Sequence, residues 1–284
     1  MPIPDSLRQT KLTEAEVSDG VQLSDEAGWN QTPEDWITYI RHGQVIGLRD
    51  EEEKLIASAG IMPYPPSFGF LALVLVTQAW RHRGLATHLA GECLAILRQA
   101  DLTPVLNATP AGAAAYERLG FQRIFGSSRW EGNPSTALES RAISERIRPA
   151  GPNDLDDLVE WDATAFGAKR RFLLAEFLAR RGTIALISRD EPGFIVARQG
   201  RHATLIGPLV AESASSGLIL LDAILSAVRG QTYLDVPNEL VEYAYWLEAH
   251  NFRRQRPFLR MAQGRTTPFG DPGRMFIGAG PEFG

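Results

Sequence analysis

The sequence predicts an α+β fold of two similar halves, each a mixed, mostly antiparallel sheet flanked by helices. Three observations carry this. In each half, strand-length apolar runs follow one another across short polar turns: Gln44–Leu48, Lys54–Met62 and Phe68–Val76, then Thr183–Ser188, Phe194–Arg198 and Ala203–Val210. Such short connections imply antiparallel neighbours, whereas the strand–helix–strand units that follow each trio need crossovers and some parallel pairing. Both halves also close a helix on a similar segment, Tyr116-Glu117-Arg118-Leu119-Gly120-Phe121 and Tyr245-Trp246-Leu247-Glu248-Ala249-His250-Asn251-Phe252.

The elements follow in order. Thr13–Asp25 reads as helical. Thr32-Pro33-Glu34-Asp35 opens a second helix, with Thr32 as N-cap, Pro33 in the first turn and Asp35 closing a capping box. After the central run Phe68–Val76, the residues Leu85, Leu89, Cys93 and Leu97 recur at helical spacing through Leu85–Gln99. Thr103–Ala108 is the next strand. Thr109-Pro110 starts a short helix that Gly120 ends, and Phe121–Phe125 with Ser128–Glu131 reads as a closing hairpin. In the second half a helix at Gly217–Val228, a strand at Thr232–Val236 and a helix at Leu240–His250 repeat this plan. Met275-Phe276-Ile277 reads as a strand or as cover for a groove.

With 284 residues, the chain is long for one domain and comfortable for two of about 140 residues. We place them at 1–140 and 145–284. The seam falls near Asn133–Glu145, after the turn-like Gly132-Asn133-Pro134-Ser135. Arg148-Pro149-Ala150-Gly151-Pro152-Asn153-Asp154-Leu155 reads as a fresh start, a short strand and then a helix opening on Asn and Asp.

Composition excludes several classes. An apolar fraction of 44% supplies real cores. A net charge of −5 argues against a nucleic-acid surface. One cysteine excludes an internal disulfide and a Cys-cluster metal site, and the five histidines show no metal-ligand spacing, so no metal is expected. Phe70–Val76 is too short to span a bilayer, and nothing at the start resembles a signal peptide. The expectation is a soluble, cytoplasmic protein that binds neither nucleic acid nor membrane.

The most informative stretch is Val74-Leu75-Val76 leading through Arg81-His82-Arg83-Gly84 into Leu85-Ala86-Thr87. The N–H groups of a helix start lack partners and carry partial positive charge. Two arginines and a histidine add donors beside them, and Gly84 lets a ligand approach the backbone. Together these residues suit a diphosphate. Taken alone, the triplet reads more simply as a solvated basic turn, and the flanking order of strand, loop and helix reverses that preference. The corresponding turn of the second half, Val210–Gly217, has no Arg or Lys and carries Glu212, so a diphosphate is expected only in the first half.

Arg81-His82-Arg83-Gly84-Leu85-Ala86 resembles the R-x-x-G-x-G/A loop of the GNAT-type N-acetyltransferases. The strand before it and the Tyr-x-x-Leu-Gly-Phe segment after it occur in the family's order. The resemblance implies acetyl-CoA as co-substrate and direct transfer of its acetyl group to an amine. It implies diphosphate on the N–H groups of His82 through Thr87 and pantetheine along Val74–Val76, with an N–H near Val76 on the thioester oxygen. Tyr116 matches the family's general acid, the reading preferred here over a half-buried packing role, and Thr109 matches a polar position near the coenzyme. Relatives often carry a Glu on the central strand. Phe68–Val76 has no ionisable side chain, so no base is assigned, although Asp50, Glu51 and Asp235 come into consideration.

Trp29 and Asn30, in the loop between the first two helices, are candidates for the acceptor pocket, or else Trp29 anchors that loop. Asp235 is read as a ligand for a cationic group or, more simply, as a cap of the next helix. The expected acceptor is a primary amine on a small molecule. A non-catalytic acetyl-CoA-binding regulatory module and a protein-lysine acetyltransferase are the competing readings, and a homodimer is possible. The second domain is expected to have kept the shape and lost the diphosphate loop.

Overall fold

In the computed structural model, which describes residues 4, 6–134 and 145–284, the chain divides into two compact units, residues 1–106 and 107–284. The first unit runs β1 (Arg8–Lys11), α1 (Val17–Glu26), α2 (Pro33–His42), β2 (Gln44–Arg49), β3 (Leu55–Tyr64), β4 (Phe68–Val76), α3 (Leu85–Gln99) and into β5 (Thr103–Ala108). β1 to β4 form an antiparallel meander in sequence order, and β5 adds in parallel beside β4. The helix start at Thr32 is as the sequence predicts: Thr32 Oγ1 accepts from the Asp35 N–H at 3.4 Å and Asp35 returns the bond to the Thr32 N–H at 3.0 Å. α1 is preceded by a 3-10 turn at Glu14–Glu16. It packs so closely on α2 that a Cβ at Gly20 would lie 2.4 Å from the Trp36 ring. Trp36 is fully buried and donates to Ser24 Oγ at 3.1 Å. The short strand β1 has no apolar run and is visible only through its pairing with β2.

The second unit contains α4 (Pro110–Arg118), β6 (Phe121–Gly132), β7 (Ile147–Pro149), α5 (Leu155–Phe166), α6 (Arg171–Ala179), β8 (Ile184–Ser188), β9 (Gly193–Arg198) and β10 (Thr204–Ala211). It continues with α7 (Ala214–Ala227), β11 (Thr232–Pro237), α8 (Val241–Ala249), β12 (Arg253–Gln263) and β13 (Met275–Ile277). Its sheet has the order β12-β6-β11-β10-β9-β8-β7, with β13 paired to β10. α7 starts three residues before the expected Gly217, because Ser213 caps it and its hydroxyl accepts from the Ser216 N–H. α6 and β12 have no expected counterpart. β12 is rich in arginine and its first half is exposed, so no apolar pattern announces it.

The hairpin expected at Phe121–Glu131 does not form. β6 runs unbroken from Phe121 to Gly132 with β11 on one edge and β12 on the other. A strand with both edges taken has no reason to fold back on itself. Gly126, which reads as a turn residue, is instead a point of close approach: a Cβ there would lie 2.5 Å from Asn238 Nδ2. Both partners of β6 lie in the second unit, which begins at residue 107. Residues 135–144 of the expected 133–145 seam lie outside the described residues.

Cys93 sits on the buried stripe of α3, 1% exposed, where desolvation pushes its thiol up to about 12, with the Glu92 charge adding to the shift. A thiol so placed is inert. We predict that Cys93 resists maleimide at pH 8 in the native protein and reacts promptly once denaturant unfolds it, as mass spectrometry would record.

Candidate functional site

The site begins with a fault in the central strand. β4 pairs with β5 for only three residues, Phe68, Gly69 and Phe70 against Thr103, Pro104 and Val105, and the two strands then part. On its other edge Ala72 faces Gly60 but Leu75 faces Ser58, so β4 carries one residue more than β3 over that stretch. This is a bulge. Leu73 takes it up with a left-handed φ of +52°. The hydroxyl of buried Ser58 donates to the Leu73 carbonyl at 2.7 Å and pins it. Ser58 was not singled out from the sequence. Its signal was a lone hydroxyl in the apolar run Leu55–Ala59, since buried polar groups need partners.

Beyond the bulge the Thr77 N–H donates to the Ile56 carbonyl at 2.9 Å, toward β3. Strand alternation turns the Val76 N–H the opposite way. That is the edge β5 has left. Leu75 is buried, while Val74 and Val76 are half-exposed.

A 3-10 turn at Gln78–Trp80 leads into the basic loop. Arg81 to Gly84 are exposed. Two residues of the loop are left-handed, His82 at φ +63° and Gly84 at φ +80°. Gly84 directly precedes α3 and offers no side-chain cap. As a result, none of the main-chain N–H groups from His82 to Thr87 makes a hydrogen bond of normal geometry within the described residues. The first N–H engaged is that of His88, which donates to the Gly84 carbonyl at 3.0 Å. Arg81 folds back so that its Nε donates to the Val76 carbonyl at 3.2 Å. Arg83 donates to the Ala79 carbonyl at 3.2 Å and stacks 4.6 Å from the Trp80 ring. The two arginines thus brace the loop while its amides point into the open.

A cleft of about 420 Å³ opens beside this turn, lined by Glu26, Asp50, Lys54, Ile56, Thr77, Gln78, Ala79 and Trp80. Asp50 accepts the N–H groups of Glu52 and Lys54 at 3.1 and 3.0 Å and so builds the β2–β3 turn. Glu26 accepts the Gln78 N–H. Glu26 and Trp80 lie outside the motif and were missed from the sequence. Trp29 is half-buried, with its N–H on the Ser24 carbonyl at 2.9 Å, and Asn30 is buried at 8% exposure.

Thr109 and Tyr116 belong to α4 of the second unit. Thr109 is the helix N-cap, accepting the Gly112 N–H at 3.3 Å. Tyr116 is half-buried, edge-on to Phe121 at 5.8 Å. The corresponding segment of the second half is Tyr245–Phe252. Aligning Phe252 with Phe121 brings left-handed Asn251 (φ +63°) onto Gly120 (φ +87°). The position of Tyr116 is then taken by Leu247, fully buried, while Tyr245 is 70% exposed.

Asp235 does not cap α8, whose N-cap is Leu240 without a side-chain cap bond. It lies opposite Arg129 in the β11–β6 register and binds it through two bonds of 2.8 Å, both side chains buried. Desolvation pulls the Arg129 guanidinium down, and the charge and bonds of Asp235 outweigh it, holding the group above its ordinary value. Among the described residues no cluster of His, Cys, Asp or Glu suits a metal ion, and no helix is long and apolar enough to cross a membrane.

Two family models match the chain: the acetyltransferase (GNAT) family over residues 11–121 and an acetyltransferase (GNAT) domain over residues 158–277. No curated protein sequence matches. Among solved structures, one from Pyrococcus horikoshii described as a candidate acetyltransferase is 21% identical, with TM-score 0.79, covering 100% of this chain and 98% of that one. A tandem GNAT protein of the clavulanic acid biosynthesis pathway is 14% identical, with TM-score 0.64 and coverage of 90% and 98%. A GCN5-related N-acetyltransferase from Sphaerobacter thermophilus is 12% identical, with TM-score 0.63 and coverage of 95% and 99%.

Removing one member of a buried ion pair leaves a desolvated charge and typically costs about 3–5 kcal/mol. Asp235→Ala is therefore expected to lower unfolding free energy by about that amount in urea denaturation.

Proposed function

We propose, from the premise that this chain carries two domains of the GNAT acetyltransferase family and belongs to it as a tandem member, that the first domain moves an acetyl group from acetyl-CoA directly to a primary amine of a small molecule. The observation that carries this reading is the run of main-chain N–H groups from His82 to Thr87, none of which has an acceptor among the described residues. Such a run at the start of a fifteen-residue helix suits a doubly charged diphosphate.

In this reading the amides of His82, Arg83, Gly84, Leu85, Ala86 and Thr87 hold the diphosphate, with Arg81 and Arg83 setting the loop around it. The edge at Val74–Val76 that β5 has left takes the pantetheine arm by strand-like pairing. The Val76 N–H donates to the thioester oxygen. That bond strengthens as negative charge gathers on the oxygen during attack, which is how a fixed donor lowers a barrier. As the carbon–sulfur bond breaks, Tyr116 gives its proton to the departing thiolate, a group of similar basicity with a phenol near ~10. The proton the amine sheds passes to water, since β4 carries no ionisable group. Thr109 is assigned to the coenzyme, and Trp29 and Asn30 to the acceptor side, on the resemblance alone. Asp235 drops out of that set because Arg129 occupies it.

The absence of a strand base in Phe68–Val76 also favours a second reading, an acetyl-CoA-binding module without turnover. A panel of amines with labelled acetyl-CoA separates the two. Transfer to small amines supports the enzyme, and transfer only to lysine peptides would move the acceptor to protein.

Two variants test the assignments. Gly84→Asp places a carboxylate against the diphosphate position, and calorimetry should show acetyl-CoA binding lost; unchanged affinity would sink the loop. Tyr116→Phe should leave that affinity intact and lower kcat by about 10²–10⁴-fold, the usual worth of a positioned acid.

A further inference from the structure

The central strand of the second unit repeats the fault of the first. β10 pairs in parallel with β11 for only three residues, Thr204–Ile206 against Thr232–Leu234, and the strands then part. β10 likewise gains one residue on its other neighbour: Ile206 faces Ala197 and Leu209 faces Ile195. In β4 no strand among the described residues pairs with the edge beyond the parting, and Arg81 Nε donates to its Val76 carbonyl. In β10 that edge is filled by the chain itself. β13 lies antiparallel there, with Ile277 on Leu209 and Met275 on Val210. The Ala211 N–H donates to the Arg274 carbonyl at 3.1 Å, and from the opposite lip the Asp235 carbonyl accepts the Gly278 N–H at 3.3 Å.

The residues after β13 are seated as a ligand would be. Phe283 is fully buried, edge-on to Phe177 at 5.6 Å. Arg170, itself fully buried and paired to Asp162 at 2.7 and 2.9 Å, donates to the carbonyls of Phe283 and Gly284 at 3.0 and 3.2 Å. Arg198 donates to the Ala279 carbonyl and lies 3.6 Å from Glu282. Asn107 donates to the Pro281 carbonyl at 2.8 Å. Phe276 stacks on Tyr243 at 5.3 Å. Gly207, at φ +134°, makes the room: a Cβ there would lie 2.0 Å from the Gly278 carbonyl oxygen. Strand pairing along an edge, an aromatic seat and buried arginines on carbonyls together form a peptide-recognition mode.

The rest of this cleft suits a peptide and not a nucleotide. The N–H groups that open α7 are partly engaged: Ser213 and Ser216 cap each other's main-chain N–H at 3.2 Å. Glu212 stands beside them, ion-paired to Arg274 at the entry of the segment. Leu247 occupies the position that Tyr116 holds in its own helix.

We propose that Met275–Gly284 is a ligand held in cis: the second domain keeps a peptide-binding cleft where β10 and β11 part, and this segment fills it and shuts it to acyl thioesters. The closure to thioesters rests on the coenzyme reading of the first domain. The peptide cleft does not.

The test uses three preparations. The full chain, titrated with acetyl-CoA, should bind one equivalent, and two equivalents would overturn the closure. A chain lacking 275–284 should bind a labelled synthetic peptide of those residues at one to one. Phe276→Ala or Phe283→Ala within the peptide, which leaves the protein untouched, should weaken it at least tenfold. A folded shortened chain that ignores the peptide, or takes a scrambled one equally well, overturns the proposal. Should that chain not fold, the full chain with a protease site inserted after Pro272 is cut in its native state. Exchange of the cut segment for added labelled peptide supports the proposal, and a segment that never exchanges, or that seats in a second copy, overturns it. No acetyl-CoA binding combined with clean peptide binding would remove the first-domain assignment and leave the cleft standing.

Discussion

The parting of two parallel strands after three paired residues governs this molecule. A sheet satisfies main-chain N–H and C=O groups along its edges, so a strand whose neighbour leaves must present bare amides to something. β4 and β10 each meet this condition immediately after Phe70 and Ile206. Each also carries an extra residue against its remaining neighbour, which bends the strand away at that point. One geometry is met in two ways. Among the described residues, the first unit pairs no strand with that edge and leaves the amides of the adjoining loop without acceptors, and the second lays its own β13 along it. The two units differ in which groups meet the edge, and share the parting and the extra residue that create it.

Buried ion pairs hold the second unit in register. Arg129–Asp235 spans two neighbouring strands and Arg170–Asp162 links a helix to the loop after it. Desolvating a guanidinium and a carboxylate is costly, and the mutual attraction offsets it only with close, two-point geometry. Both pairs meet that condition. Their donors also reach further: Arg170 to main-chain carbonyls of the Met275–Gly284 segment, and Arg129 to the faces of Tyr233 and Phe258 at 5.3 and 5.4 Å. An arginine can serve several partners at once because its five donors fan out in one plane. In the first unit Arg49 acts likewise, joining Glu16, Asp19 and the Glu53 carbonyl.

Much of this was legible beforehand, and the reason differs from element to element. The three-strand meanders, α3 and the Thr32 helix start were readable because their signals are local: apolar periodicity and a cap within four residues. The basic loop was readable because Arg81–Gly84 sits between a strand and a helix. β6 was misread as a hairpin because Gly126 has the composition of a turn, whereas its smallness serves the approach of Asn238. β12 went unread because its residues Arg253–Arg256 carry no alternation, and its pairing with β6 makes it a strand. Asp235 was read as a cap because cap and cross-strand partner look alike in sequence, and only register puts Arg129 opposite it.

By itself the sequence determined what short-range forces decide: two halves of one plan, a strand and a helix joined by a basic, glycine-containing loop in the first, and no basic counterpart in the second. Only the tertiary structure decided which edges stay bare, which tyrosine position became a leucine in register, and where Met275–Gly284 comes to rest. The physical reason is that unmet main-chain groups and buried charges are settled by partners far along the chain, and no spacing in the sequence records which partner arrives.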